Sequence, residues 1–226
     1  MAKAGGRGVG PGKRILLVFG TRPEAIKMAP VYRALRAQPG AFETLCCVTA
    51  QHRQMLDQVL RTFEIVPDID LDLMRDGQDI IDVKAAVLVA MRAVLREARP
   101  DLVLVHGDTT TSTASALAAF YAKVSVGHVE AGLRSRDVHA PFPEELNRRV
   151  TGMIAKYHFA PTDANKANLV AEGCDPAAIS VTGSTVVDAL NYLRERADTD
   201  RSARDEMGGR LDTAVDFAWR SDRFVV

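Results

Sequence analysis

From Arg14 onward, short runs of β-branched and aliphatic residues alternate with longer stretches of helical period, and this alternation constrains the chain more than any other feature. It is the pattern of β-α-β units, in which helices cross between parallel strands. Runs such as LVLV at 102–105 place apolar residues at consecutive positions, so both faces of the sheet are expected to be covered. Strands are predicted at Ile15 to Phe19, Glu43 to Thr49, Leu102 to His106, Val124 to Val129, His158 to Ala160 and Ile179 to Val181. Helices are predicted at Pro23 to Ala37, Gln54 to Phe63, Ile80 to Glu97, Thr110 to Tyr121, Glu144 to Tyr157, Asp163 to Glu172 and Thr185 to Arg196. Pro30 is expected to kink or restart the first of them, because it lacks the N–H of an interior turn. The fold class is therefore α/β, a Rossmann-like parallel sheet with helices on both faces.

The flanking segments read differently. Residues 1–13 are rich in glycine but precede the first strand, so they are read as a disordered tail and not as a dinucleotide loop. Residues 14–196 form the Rossmann-like domain. From Ala197 to Asp216 the sequence turns polar and includes Gly208-Gly209, which reads as a linker or frayed helix. Phe224-Val225-Val226 reads as the first residues of another strand, so 197–226 is expected to be a linker leading into a second domain.

The charge balance excludes one class of function. Lys and Arg number 29 and Asp and Glu 29, so nothing in the totals advertises a surface for nucleic acid. No apolar run reaches the length of a membrane span, and the amino terminus lacks the apolar core of a signal peptide. Three cysteines, two of them adjacent, give neither a disulfide framework nor a CxxC metal spacing. A cytoplasmic location follows as the expectation.

Ligands of parallel sheets bind outside the carboxyl ends of the strands, so the residues that follow each strand are the candidates for chemistry. After the first strand, Gly20-Thr21-Arg22-Pro23-Glu24 and Lys27 offer a glycine turn, a helix start and two cations. That set can hold a phosphate or can be a structural turn with Arg22 paired to Glu24. After the second come Gln51, His52, Arg53 and Gln54, polar donors that also suit a helix cap. His106-Gly107-Asp108 ends the third, with Asp108 a candidate acid or base and equally a candidate N-cap. The fourth leaves His128-Val129-Glu130, and Pro143-Glu144-Glu145-Leu146-Asn147-Arg148 follows a loop. Residues two apart on a strand share a face, which pairs His106 with Asp108 and His128 with Glu130. Asp108, Glu130 and Glu144 then converge on one rim, where like charges raise one another's pKa. Asn147, Arg148 and Arg149 either orient Glu144 or pair with it structurally. Thr182-Gly183-Ser184-Thr185 is another anion-friendly turn or a plain cap. The two His-x-acid pairs also admit a metal, although no two histidines have a metalloprotease spacing, and the preferred reading has none.

With these residues in place, the chain resembles the non-hydrolysing UDP-N-acetylglucosamine 2-epimerases. The strings FGTRPEAIKMAP, TAQHRQMLDQVL, VHGDTTTSTASALAAFY, GHVEAGLRS, PFPEELNRR and VTGSTVVDAL carry the resemblance, from about Ile15 to Asp188. It implies the amino-terminal half of a two-domain fold of glycosyltransferase-B type, with the active site in the cleft between domains. It also implies interconversion of UDP-N-acetylglucosamine and UDP-N-acetylmannosamine, by elimination of UDP and re-addition with the opposite configuration at C2. No nicotinamide, metal or other cofactor is called for, and the product feeds cell-surface polysaccharide synthesis. The resemblance implies Asp108, Glu130 and Glu144 as the acid and base groups. It places Arg22, Lys27, His106 and Arg148 at the UDP-sugar and aligns Gln51 and Gln54 with a string that contacts a second UDP-sugar in some members. It further implies a homodimer, with neither nucleic acid nor membrane as partner, and a catalytic histidine on the second domain. The alternative is a non-catalytic homologue that binds a sugar nucleotide weakly or joins a full-length partner. The segment Gly77 to Lys84 departs from the family pattern.

Overall fold

The computed structural model describes residues 12–50, 53–75, 77–215 and 220–221. Seven strands build one all-parallel sheet: β1 (Lys13–Phe19), β2 (Phe42–Val48), β3 (Ile69–Asp70), β4 (Leu102–His106), β5 (Ser125–Val129), β6 (Tyr157–Ala160) and β7 (Ile179–Val181). Their order is β3-β2-β1-β4-β5-β6-β7. The helices between them are α1 (Arg22–Arg36), α2 (Arg53–Thr62), α3 (Ile80–Ala98), α4 (Thr110–Tyr121), α5 (Glu144–Ile154) and α6 (Asp163–Ala171), followed by α7 (Thr185–Thr199) and α8 (Arg201–Ala214).

The continuous apolar runs do what two covered faces require. Leu16, Leu17, Val18 and Phe19 of β1 are all fully buried. Leu16 and Val18 join Val103 and Val105 of β4 in a cluster with Val87, Met91, Val94 and Leu95 of α3 and Ala114, Ala118 and Ala119 of α4. The alternate residues of β1 turn to the opposite face, as a period of two demands. On the helices α1 packs with α2, and α4 with both α3 and α5. β1 leads leftward to β2 whereas β4 leads rightward to β5. Connections therefore diverge at the β1–β4 pair, where Ile15, Leu16 and Leu17 face Leu102, Val103 and Leu104. In such sheets that divergence opens a crevice at the strands' carboxyl ends.

Several expectations change. β1 begins at Lys13, so the tail reading fails at its last residue, while residues 1–11 lie outside the described residues. β3 is an additional strand, only two residues long. α1 runs through Pro30 without restarting, because Met28, Ala29 and Tyr32 are buried on either side of it and a capping box secures its start. α5 ends at Ile154, three residues early, since Ala155 is extended and the Lys156 amide donates to Val126 O at 2.8 Å to lead the chain into β6. The segment read as linker or frayed helix is helix α8.

The chain divides into two compact units, Met1–Thr185 and Val186–Val226. In the second unit the Asp200 carboxylate caps α8 by accepting from the Ser202 and Ala203 amides. The Arg204 guanidinium donates to the carbonyls of Ala197 and Asp198 at the end of α7. The strand expected at Phe224 to Val226 lies outside the described residues.

Candidate functional site

The crevice is built from three turns. β1 ends at Phe19, and Gly20 and Thr21 turn the chain into α1, with the Thr21 side chain accepting from the Glu24 amide. Gly20 is required by space: a side-chain carbon there would collide with the hydroxyls of Thr49 and Thr111. Arg22 is exposed at the first position of α1, and Lys27 lies one turn further along. The second turn follows β4, where Gly107 has φ of 62° and Thr109 caps α4 through the Ser112 amide. Buried His128 fixes this turn from β5, its Nε2 lying 2.7 Å from the Gly107 carbonyl. Burial lowers the His128 pKa to about 3, so the ring is neutral and Nε2 carries the proton it donates. The third turn follows β5, where Glu130 has φ of 62°, a strained backbone for a residue with a side chain.

Those turns bring the candidates together. Lys27 Nζ donates to both carboxylate oxygens of Glu130, each at 2.7 Å. His106 Nε2 stands 3.7 Å from Glu130 Oε2. Asp108 Oδ2 accepts from Arg148 of α5 at 2.6 Å, and the same guanidinium donates to Glu145 at 3.0 Å. Asn147 Nδ2 donates to the Asp108 carbonyl at 2.9 Å. Glu144 opens α5, and among the described residues its carboxylate takes no hydrogen-bond or ion-pair partner.

The alternation rule misplaced two pairs. His106 comes beside Glu130, and His128 turns to a backbone carbonyl, because β5 stops at Val129 and Glu130 has left strand geometry. Mutual elevation of the three carboxyls also fails as a general statement. Asp108 is raised, by burial first, with Arg148 opposing and Glu144 and Glu130 adding to the rise. Glu130 goes the other way. Burial favours its neutral form, but His106 and Lys27 outweigh that and hold it at about 2. Nor do Asn147, Arg148 and Arg149 serve Glu144: the two arginines grip fully buried Glu145, and Arg148 reaches on to Asp108. With only 5% of its surface exposed, Arg148 is committed to those carboxylates.

Gln54 is exposed at the start of α2, apart from this hydrogen-bonded cluster, and Gln51 lies outside the described residues. Two residues named in the sequence hold roles it did not assign them: Glu24, weighed there only as a partner of Arg22, accepts from the Gly20 and Thr21 amides, and Glu145 accepts from Arg148 and Arg149. Glu24 stands three residues after Thr21, a capping-box spacing, and Glu145 stands at i−3 and i−4 from two arginines, so both had local signals. Among the described residues, no group of three or more His, Cys, Asp or Glu side chains is gathered as a metal would need. No helix there is long and apolar enough to cross a membrane.

A site of this kind can move a proton between Asp108 and a ligand while Glu130 and Lys27 present fixed opposite charges. Comparison with known proteins narrows it. The family model for UDP-N-acetylglucosamine 2-epimerase matches residues 33–215. A UDP-N-acetylglucosamine 2-epimerase of Yersinia pestis is 57% identical over 183 residues, 81% of this chain and 48% of that protein. The crystal structure of the UDP-GlcNAc 2-epimerase from Neisseria meningitidis, bound to UDP-GlcNAc, is 45% identical with a TM-score of 0.83, covering 90% of this chain and 54% of that one. A lipopolysaccharide outer core galactosyltransferase, 15% identical with a TM-score of 0.54 over 75% of this chain and 44% of its own, shares the fold alone. The chain spans about half the length of the curated relatives it matches. On the strength of the family match, this chain belongs to the UDP-N-acetylglucosamine 2-epimerase family.

Proposed function

We propose that this chain supplies one wall of a UDP-sugar site that interconverts UDP-N-acetylglucosamine and UDP-N-acetylmannosamine by elimination and re-addition of UDP. The observation that carries the reading is the pair of oppositely poised carboxyls at the crevice, Asp108 raised and Glu130 lowered, in a chain of this family. Removing the C2 proton needs a carboxylate whose conjugate acid is not too strong, and Asp108 suits that better than Glu130. Glu130, held ionised by His106 and Lys27 together, fits an electrostatic and orienting role. Glu144 is free to accept a sugar hydroxyl or to act as the second acid-base group. Exposed Arg22, beside the amino-terminal amides of α1, suits the diphosphate. The whole protein is further proposed to act as a cytoplasmic homodimer.

The test is incubation with UDP-N-acetylglucosamine in deuterated water, followed by proton NMR at C2. The chain joined to the remaining half of the Yersinia pestis relative is expected to exchange the C2 hydrogen and form the manno epimer. The 226-residue chain alone is expected to bind without turnover, because catalysis needs preorganised groups on both walls. Absence of exchange in the soluble joined protein, with no binding by the chain, refutes the reading.

A further inference from the structure

Glu24 does more than its capping box requires. A capping-box glutamate accepts from the N-cap amide alone. Here Oε2 accepts from two amides, Gly20 at 3.0 Å and Thr21 at 2.8 Å. Oε1 faces two hydroxyls on the neighbouring turn, Thr109 Oγ1 at 2.6 Å and Ser112 Oγ at 2.8 Å. Ser112 Oγ also lies 2.5 Å from the His106 carbonyl, so its single proton is shared between two acceptors. The carboxylate is 2% exposed, and its four nearest partners come from two turns that follow adjacent strands. One of those turns begins the helix that carries Arg22 and Lys27. The other carries Asp108, directly before Thr109. A carboxylate whose only business was to start α1 would not need the α4 turn at all.

We propose that Glu24 is a positioning residue that ties the β1–α1 turn to the β4–α4 turn, so that Lys27 on one side and Asp108 on the other keep a fixed separation. It touches no substrate. The catalytic part of this inference rests on the epimerase reading above, but the tie itself can be tested without turnover.

The experiment is carbon-13 NMR of the Asp and Glu carboxyls through a pH titration of the 226-residue chain. Three substitutions are compared: Glu24→Ala, Glu24→Gln and Ser112→Ala. Glu24→Gln can keep its carbonyl oxygen on the two amides and direct its NH2 to the hydroxyls, which can also accept. It is expected to preserve the parental titrations of Asp108 and Glu130. Glu24→Ala is expected to move Asp108 down and Glu130 up, both toward ordinary values. Ser112→Ala, which leaves the α1 cap intact, is expected to move Asp108 in the same direction by less, and it serves if Glu24→Ala does not fold. In the joined protein, Glu24→Ala is expected to lower kcat about tenfold or more with KM little changed, and Glu24→Gln to restore it, as a small misplacement of reacting groups predicts. Unmoved Asp108 and Glu130 titrations in folded Glu24→Ala, or in Ser112→Ala where Glu24→Ala fails to fold, overturn the tie. Moved titrations in a protein that never exchanges C2 hydrogen leave the tie standing and refute the epimerase reading alone.

Discussion

The turn after β4 and the turn after β5 leave adjacent strands, each begins or ends on positive φ, and each presents a partly buried carboxylate to the same crevice. Their electrostatics are opposite. Asp108 meets a single arginine that is itself divided between two carboxylates, and burial wins. Glu130 has His106 beside it and Lys27 on both oxygens, and together these partners outweigh burial. Exposure does not separate them, since their side chains are 29% and 22% exposed. Partners decide the sign, and those partners come from α5 on one side and α1 on the other.

The largest expected effect breaks the Asp108 side. Arg148→Met leaves two carboxylates without their buried partner, and loss of one member of a buried ion pair costs about 3–5 kcal/mol. Urea denaturation at neutral pH is expected to register that loss. A change below about 1 kcal/mol would place the arginine in a solvated, dispensable pairing.

Acid titration sharpens the contrast next. Glu130 has its folded pKa depressed from 4.5 to about 2. It therefore contributes stability that is present above the unfolded value and lost as pH falls through that window, roughly 3 kcal/mol by linkage. Asp108 has the reverse sign: its raised pKa contributes stability that is present below the unfolded value and lost as pH rises through the folded one. Lys27→Met is expected to flatten part of the acid limb of the stability curve between pH 4.5 and 2, since His106 stays beside Glu130. An unchanged acid limb would mean that Lys27 does not hold Glu130.

Turnover is the third handle. In the joined protein, Asp108→Asn, Glu130→Gln and Glu144→Gln are each expected to lower kcat by about two orders of magnitude, the scale of a lost acid-base group at Asp108 or Glu144 and of a lost electrostatic contact at Glu130. Only Asp108→Asn is expected to remove the acidic ionisation from the pH profile of kcat. If Glu130→Gln removes it instead, the two carboxylates have exchanged roles. The smallest effect concerns Gly20, whose added methyl in Gly20→Ala pushes on the hydroxyls of Thr49 and Thr111. Overpacking of this kind costs about 1–3 kcal/mol, and thermal denaturation is expected to show it, whereas an unchanged midpoint would mean that the turn has room for a side chain.

Much of this was legible in the sequence, and the failures have physical causes. Strands such as Leu102–His106 announced themselves because a sheet covered on both faces needs unbroken apolar runs. Ile69–Asp70 did not, since two residues on the sheet's edge, one of them charged, make no run. α8 was legible only as one of two alternatives, linker or frayed helix, because of its polar composition and paired glycines. The Asp200 cap and the Arg204 contacts that help to hold it are displayed by no periodicity. The places of Asp108, Glu130 and Lys27 were legible because chemistry in this architecture follows strand ends. The sign of each shift was not, because Lys27 and Glu130 are 103 residues apart and Asp108 and Arg148 are 40 apart. Alternation misled at Glu130 because it holds only while the strand lasts.

The most direct measurement is the carbon-13 titration of the two carboxyls in the unmodified chain. Glu130 is expected to titrate at about 2 and Asp108 above the ordinary aspartate value of 3.8. If both titrate at ordinary values, or if Glu130 titrates above Asp108, the account of one crevice holding two oppositely poised carboxyls is wrong.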